Sequence, residues 1–163
     1  MGTVAGSIRE QIMKNVQATL ETITVENGYA NTLRSVQRFQ QGGQQLSAVP
    51  VAVLIEGGDD VDLEGPLAGS YSLTSRTLTV SVVLIHRQDL DTDARSATEL
   101  MNTIIADVQK AMQVDHTRGG LALDTNEAGI GEMDVEDGQP ELVQTIGYRI
   151  QYRHRRTDPT IAG

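Results

Sequence analysis

The chain has no cysteine and no tryptophan, and Phe39 is its one phenylalanine among 163 residues. Disulfides and thiolate metal sites are therefore excluded. Because aromatic side chains are few, a surface on which the bases of single-stranded nucleic acid stack is not expected. The formal net charge of −9 is opposite in sign to that of a protein that grips DNA phosphates. The apolar runs 49–55 and 80–85 are too short to cross a bilayer, so we expect a soluble protein without a membrane span.

Length and composition predict one domain. A chain of 163 residues lies within the usual range for a single domain and can bury a sizeable core. No shift in composition divides the chain into halves. We expect one domain over 1–163, with a flexible C-terminal tail over about 157–163 after the last strand.

Two helices are predicted from apolar residues that recur every three or four positions. The first begins after Ser7, and Ser7 and Glu10 have the spacing of a capping box. The second is predicted over about 92–113, with Asp91 or Thr92 as its N-cap. Both segments carry a broad apolar face, so we expect both helices to pack against a sheet.

Strands are predicted where apolar and polar residues alternate or where β-branched residues cluster. The expected strands are 30–38; 48–56, with Pro50 at its start or at a sheet edge; 71–87; 121–128, extended to 135 after a bulge; and 142–154. Helices and strands in this order predict an α+β fold.

The segment 57–70 is rich in glycine and acidic residues, so we expect a solvated loop. Within it, Asp60, Asp62 and Glu64 match the first, third and fifth places of a calcium-binding loop. The twelfth place requires a bidentate glutamate and is Tyr71 instead. We therefore expect no metal here.

No catalytic arrangement is visible in the sequence. His86, His116 and His154 stand at no metal-ligand spacing, and we expect ordinary surface histidines. The glycines Gly129 and Gly131 continue into no phosphate-binding motif. Without a nucleophile and a positioned base, we expect no enzyme and no cofactor.

Charge is distributed unevenly along the chain, because arginines crowd the last predicted strand of an acidic protein. A basic edge on one copy could face an acidic edge on the next in a head-to-tail contact. An edge strand whose charges block aggregation is the equal alternative. The candidate interface residues are Asp59, Asp60, Asp62, Glu64, Arg149, Arg153, Arg155 and Arg156.

Several local patterns in a fixed order resemble a known family. They are Gly28-Tyr29 after the first helix, Glu56-Gly57 after the strand with Pro50, Ala111 to Asp115 at the second helix end, Arg118-Gly119-Gly120, and Ile150 to Arg153 near Pro159. Over nearly the whole chain, this order resembles the tail terminator, or tail completion, proteins of long-tailed bacteriophages. That group includes the lambda minor tail protein U.

The resemblance implies a mixed, mainly antiparallel β-sheet flanked by two main helices. It also implies a homohexameric ring that caps the tail tube protein and joins the head-tail connector or neck protein; whether a sheath protein also binds stays open. Such a protein belongs to the virion and is assembled in the host cytoplasm. Six copies carry 6 × −9 = −54 charges, so DNA would pass through without specific binding. We expect segments 57–70 and 132–141 to contact neighbouring rings.

Two other functions stay open at this point. A neck or head-completion protein would share the ring symmetry but bind the portal side. A small enzyme or ligand-binding domain would have a site built from scattered residues, in one deep pocket with perturbed carboxylates.

Overall fold

The computed structural model describes residues 6–39, 48–62, 72–87, 96–135 and 141–163. Within these ranges the helices are α1 (Ile8–Glu21) and α2 (Ala97–Val114), and the strands are β1 (Ser35–Arg38), β2 (Val51–Val61), β3 (Leu73–Arg87), β4 (Ala122–Ile130), β5 (Asp134–Val135), β6 (Glu141–Arg155) and β7 (Asp158–Ala162). The strands form one sheet in the order β1-β2-β3-β6-β4, and β5 and β7 also pair with β6. β1 and β2 are parallel and the other pairs are antiparallel. The predicted α+β fold with a mainly antiparallel mixed sheet is confirmed.

Helix α1 begins after Ser7 as predicted, but only the Ser7 half of the predicted capping box is formed. The hydroxyl of Ser7 accepts a hydrogen bond from the amide of Glu10 at 3.2 Å, which satisfies one of the free N–H groups of the first turn. The carboxylate of Glu10 binds Arg38 of β1 and so takes part in a tertiary ion pair. The helix buries the apolar face that its spacing predicts: Ile8, Ile12, Met13, Val16 and Leu20.

Helix α2 begins later than predicted. Its N-cap is Ser96, so the predicted cap at Asp91 or Thr92 was wrong. Ser96 and Glu99 form a full capping box, in which the Ser96 hydroxyl accepts from the Glu99 amide and the Glu99 carboxylate accepts from the Ser96 amide. This reciprocal arrangement satisfies two amides at once. The helix buries Met101, Ile104, Val108 and Met112.

Strand β2 starts directly after Pro50 and lies between β1 and β3, so the predicted place of Pro50 at a strand start is confirmed. β2 continues to Val61, and the expectation of a loop from residue 57 onward was wrong there. Residues 59–61 pair with β3 after a register shift between Glu56 and Asp59. Two glycines in this stretch allow the shift. Residues 63–70 of the predicted loop lie outside the described residues.

Strands β3 and β6 form the centre of the sheet. They pair over fifteen consecutive positions, from Leu73 opposite Arg155 to Arg87 opposite Glu141. β4 and then β5 pair with the other side of β6. A shift between Glu127 and Gly129, where Gly129 has φ 142°, is the bulge that the sequence predicts in this segment.

The C-terminal segment is a strand rather than a frayed tail. β7 covers Asp158–Ala162 and pairs with the end of β6. The carboxylate of Asp158 accepts bonds from the amide and hydroxyl of Thr160 and shapes the turn. The expectation of a flexible tail over about 157–163 was wrong, because β6 extends far enough to offer β7 a partner.

Both helices cover the same face of the sheet. A single hydrophobic core joins α1 and α2 to the even-numbered positions of β3 and β6, including Leu78, Val80, Val82, Ile146 and Ile150. The odd-numbered positions of these strands form a second face that no described helix covers; we call it the open face. Neither described helix is long and apolar enough to span a membrane.

Candidate interaction site

The predicted basic residues lie on and around β6. Arg149 and Arg153 belong to the open face, and Arg149 is exposed. Arg155 and Arg156 are exposed where β6 ends. β6 lies between β3 and β4, so the alternative of an edge strand protected by charge was wrong. Arg149 and Arg153 therefore lie on a central strand, and Arg155 and Arg156 lie at its end.

The structure separates the predicted acidic residues from one another. Asp60 is exposed on β2. Asp62 accepts a hydrogen bond from the Thr77 hydroxyl at 3.1 Å. Asp59 lies on the helix-covered side, and its side chain is only 8% exposed. Glu64 lies outside the described residues. The assignment of these acids and of the arginines to an interface stays a prediction.

Asp59 belongs to a charged cluster beyond one end of the hydrophobic core. We define this cluster by its members: Arg9, Glu10, Arg38, Glu56, Asp59, Arg76, Tyr152 and His154. These residues come from α1, β1, β2, β3 and β6, so the cluster ties one helix to four strands.

Positive and negative groups alternate through the charged cluster. Arg38 binds Glu10 at 2.7 Å and also binds Glu56. Glu56 receives Arg9 at 3.2 Å, and Arg9 lies 3.6 Å from Asp59. Three arginines face three carboxylates, so the cluster has no net charge. Because its arginines are about a third exposed, water screens the outer pairs.

The inner end of the cluster is more deeply buried. Asp59 accepts a hydrogen bond from the Tyr152 hydroxyl at 2.6 Å and lies 3.5 Å from Arg76. Arg76 donates from Nε to His154 Nε2 at 3.1 Å. Because arginine can only donate, His154 accepts at Nε2, and its Nδ1–H donates to the Arg155 carbonyl at 2.7 Å. These two bonds fix the orientation of the His154 ring.

Burial raises the pKa of the phenols of Tyr148 and Tyr152 well above the ordinary value. At Tyr152 the hydrogen bond to Asp59 acts in the same direction, because that bond favours the protonated phenol. Tyr148 lies near Glu127, whose negative charge adds to the increase.

We expect these two tyrosines to ionise only above the pH at which an exposed tyrosine ionises. A pKa that is higher in the folded than in the unfolded state gives stability that is complete below about pH 10. This stability falls as the pH rises beyond that value. Spectrophotometric titration should show one fewer late-ionising phenol in Tyr152→Phe than in the wild type. Ionisation of Tyr152 near pH 10 in the folded protein would contradict the expectation.

The histidines differ from the prediction. His86 and His154 are buried, so the expectation of surface histidines was wrong for both. His116 is exposed, and its Nδ1 lies 3.2 Å from Asp124. The Asp124 pKa is lowered first by its hydrogen bond from Asn126 and further by His116. Among the described residues no group of three His, Asp or Glu side chains could hold a metal ion.

A shallow depression of about 480 Å³ lies between β3, β6 and β4 and is lined by Thr77, Asn126, Glu127, Ala128, Arg149 and Gln151. Its walls are polar side chains of neighbouring strands. It contains a cation, a carboxylate, amides and a hydroxyl. This is a surface suited to polar contacts.

Sequence reasoning missed the charged cluster, although a signal was present. Arg76 lies two positions from Leu78 on β3, and His154 lies four positions from Ile150 on β6. Both residues therefore occupy positions that face the core side of the sheet. A charged residue at such a position must find a partner. Their partners in the cluster, Asp59 and Arg9, are distant in sequence, so no local pattern could predict these contacts.

Fold and site together define an α+β protein whose sheet is covered by helices on one side and carries a neutral charged cluster at one end. No protein-family model matches the chain. No curated protein matches it either.

Proposed function

We propose that this chain is a structural virion protein that caps the end of a phage tail tube as a hexameric ring. The ring stops tube polymerisation and provides the surface for head-tail joining. The proposal rests on the sequence resemblance to tail terminator proteins. The helix-flanked, mainly antiparallel mixed sheet agrees with the fold that this resemblance implies.

One observation of the structure supports a role in assembly above all others. The open face of the sheet presents side chains of β3 and β6 that no described helix covers, including Thr79, Arg149 and Gln151. The core that packs against the helices lies on the other face, and Val51 and Val53, which pair with Ile85 and Val83, are also buried on the open face. A rigid sheet with one face that no described helix covers suits contacts with other proteins better than it suits an enclosed reaction.

The overall charge suits a ring through which DNA passes. Each chain carries a net charge of −9, and the three arginines of the charged cluster are balanced by its own carboxylates. Phosphates are repelled by an acidic lumen. Specific DNA binding is therefore not part of the proposed role.

The proposal is tested first by the mass of the protein in solution. Light scattering behind a sizing column, at physiological and at low salt, should give six times 17.6 kDa. A monomer that becomes a hexamer as conditions change would also agree. A monomer or dimer under every condition, together with no effect on tubes, would overturn the proposal.

Tube capping is the second part of the test. Tail tube protein that polymerises in the presence of this chain should give shorter tubes with a ring at one end, seen by electron microscopy. The heat-denatured chain is the control. Binding to portal assemblies instead of tubes would favour a neck protein.

A further inference from the structure

The two edges of the sheet carry opposite charge. In the described part of the chain, β1 and β4 each have a strand on one side only. Around β1, residues 28–55 contain Arg34 and Arg38 but no Asp or Glu. Around β4 and β5, residues 119–148 contain no Lys or Arg, and their carboxylates are Asp124, Glu127, Glu132, Asp134, Glu136, Asp137 and Glu141.

The acidic edge is accessible along its length. Glu127, Glu132 and Asp134 are exposed. Two apolar side chains accompany them, since Leu123 is 45% exposed and Ile130 is 44% exposed. An edge strand with unpaired main chain and exposed apolar side chains is a template for another strand.

The β1 edge carries an exposed cation and an exposed apolar side chain that complement the β4 edge. Arg34 is exposed at the start of β1, and its amide bonds the Pro50 carbonyl of β2 at 2.8 Å. Phe39, directly after β1, is 58% exposed. Arg38 is held by Glu10 and Glu56, which leaves Arg34 as the exposed cation of this edge.

Charge decides which edges can meet. Two β4 edges related by a two-fold axis would place carboxylates opposite carboxylates, and like charges directly opposite each other destabilise a strand pair. A β4 edge against a β1 edge places carboxylates near Arg34. Such a contact joins two different surfaces, so it is head-to-tail and can close into a ring.

We propose that β4 of one copy pairs with β1 of the next copy, so that the sheet continues from subunit to subunit. This inference rests on the proposed ring and names the surfaces that form it. The exposed Ile130, Leu123 and Phe39 would be covered in the contact. The acidic side chains and Arg34 set its direction.

Charge reversal tests the pairing. Arg34→Glu, directly before β1, and Glu127→Lys on β4 should each weaken self-association by at least about tenfold in sedimentation velocity at low salt. The matched controls lie on exposed positions of α1: Lys14→Glu, and Glu21→Lys. Glu21 accepts from Gln17 as Glu127 accepts from Gln109, so the two glutamates lose similar bonds. Circular dichroism checks that every variant is folded.

Cross-linking provides a second measurement that does not depend on charge. The chain has no cysteine, so introduced thiols react only with each other. A mixture of Ser35→Cys and Asn126→Cys should give disulfide-linked dimers, while either variant alone should not. The control mixture of Ala18→Cys with Asn126→Cys should give none, because Ala18 lies on α1.

The outcomes separate the two proposals. If the wild type forms rings or caps tubes while both reversals behave like their controls and no specific dimer appears, the edge pairing is overturned and the ring stands. Dimers from Asn126→Cys alone would show a two-fold contact and would also overturn it. A wild type that never associates, even on tubes, overturns both.

Discussion

Replacing Asp59 by asparagine should lower the free energy of unfolding by about 1 to 2 kcal/mol. The Asp59 carboxylate is almost fully buried and lies within reach of Arg9, Arg76 and the Tyr152 hydroxyl. Asparagine keeps the shape but removes the charge, so two arginines lose their inner partner. The loss is moderate because both arginines are about a third exposed and keep Glu56 and His154 as partners. Urea denaturation of wild type and variant measures the difference.

Asp60→Asn is the matched control, because Asp60 is the next residue of β2 and is exposed. Its effect should stay within about 0.5 kcal/mol. Equal stability of the two variants would mean that the charged cluster contributes nothing through Asp59. Since asparagine can still accept a bond from Tyr152, Asp59→Ala should cost more than Asp59→Asn.

The second large effect is expected at Arg118, which is fully buried in the turn between α2 and β4. Its guanidinium donates to the Met112 carbonyl near the end of α2 and to the Thr19 hydroxyl of α1 at 3.4 Å. Burial lowers the Arg118 pKa, and the nearby charge of Asp115 opposes that decrease. Here a cation stabilises the C-terminal carbonyls of a helix.

Arg118→Ala should therefore cost about 3 kcal/mol in free energy of unfolding, since it leaves a cavity and an unsatisfied carbonyl. Arg118→Met fills much of the volume without the hydrogen bonds, so its loss of stability measures the share of the hydrogen bonds and the charge, and the further loss in Arg118→Ala measures the share of packing. Arg156→Ala, at an exposed arginine, should change stability by less than about 0.5 kcal/mol. A loss no greater for Arg118→Ala than for Arg156→Ala would contradict the helix-capping role.

Local patterns were sufficient for the elements that bury a regular apolar face. Ile8, Ile12, Val16 and Leu20 repeat with the period of a helix, and α1 contains all four. Apolar and polar residues alternate in the predicted strand 142–154. This segment forms most of β6, and its even-numbered residues are buried. In both segments the repeat of apolar residues along a short stretch of sequence determines which side chains are buried.

Other features depend on partners that a local pattern does not contain. β7 exists because the end of β6 has room for a partner, and residues 57–61 extend β2 because β3 is long enough to pair with them. The N-cap of α2 was misplaced because Asp91 and Thr92 are acceptable caps, whereas the full capping box lies at Ser96. Arg118 gave no signal of burial, since arginine in a turn is ordinarily exposed.

The central place of β6 has a consequence for synthesis on the ribosome. β3 ends at Arg87 and its partner begins at Glu141, so more than fifty residues must be made between them. At the usual translation rate of about 5–20 residues per second, several seconds pass between the synthesis of β3 and the synthesis of β6. During that interval an apolar strand has one unpaired side, and pairing over this separation also slows folding. The nascent chain is therefore most vulnerable to aggregation just before the segment 141–163, which contains β6, emerges.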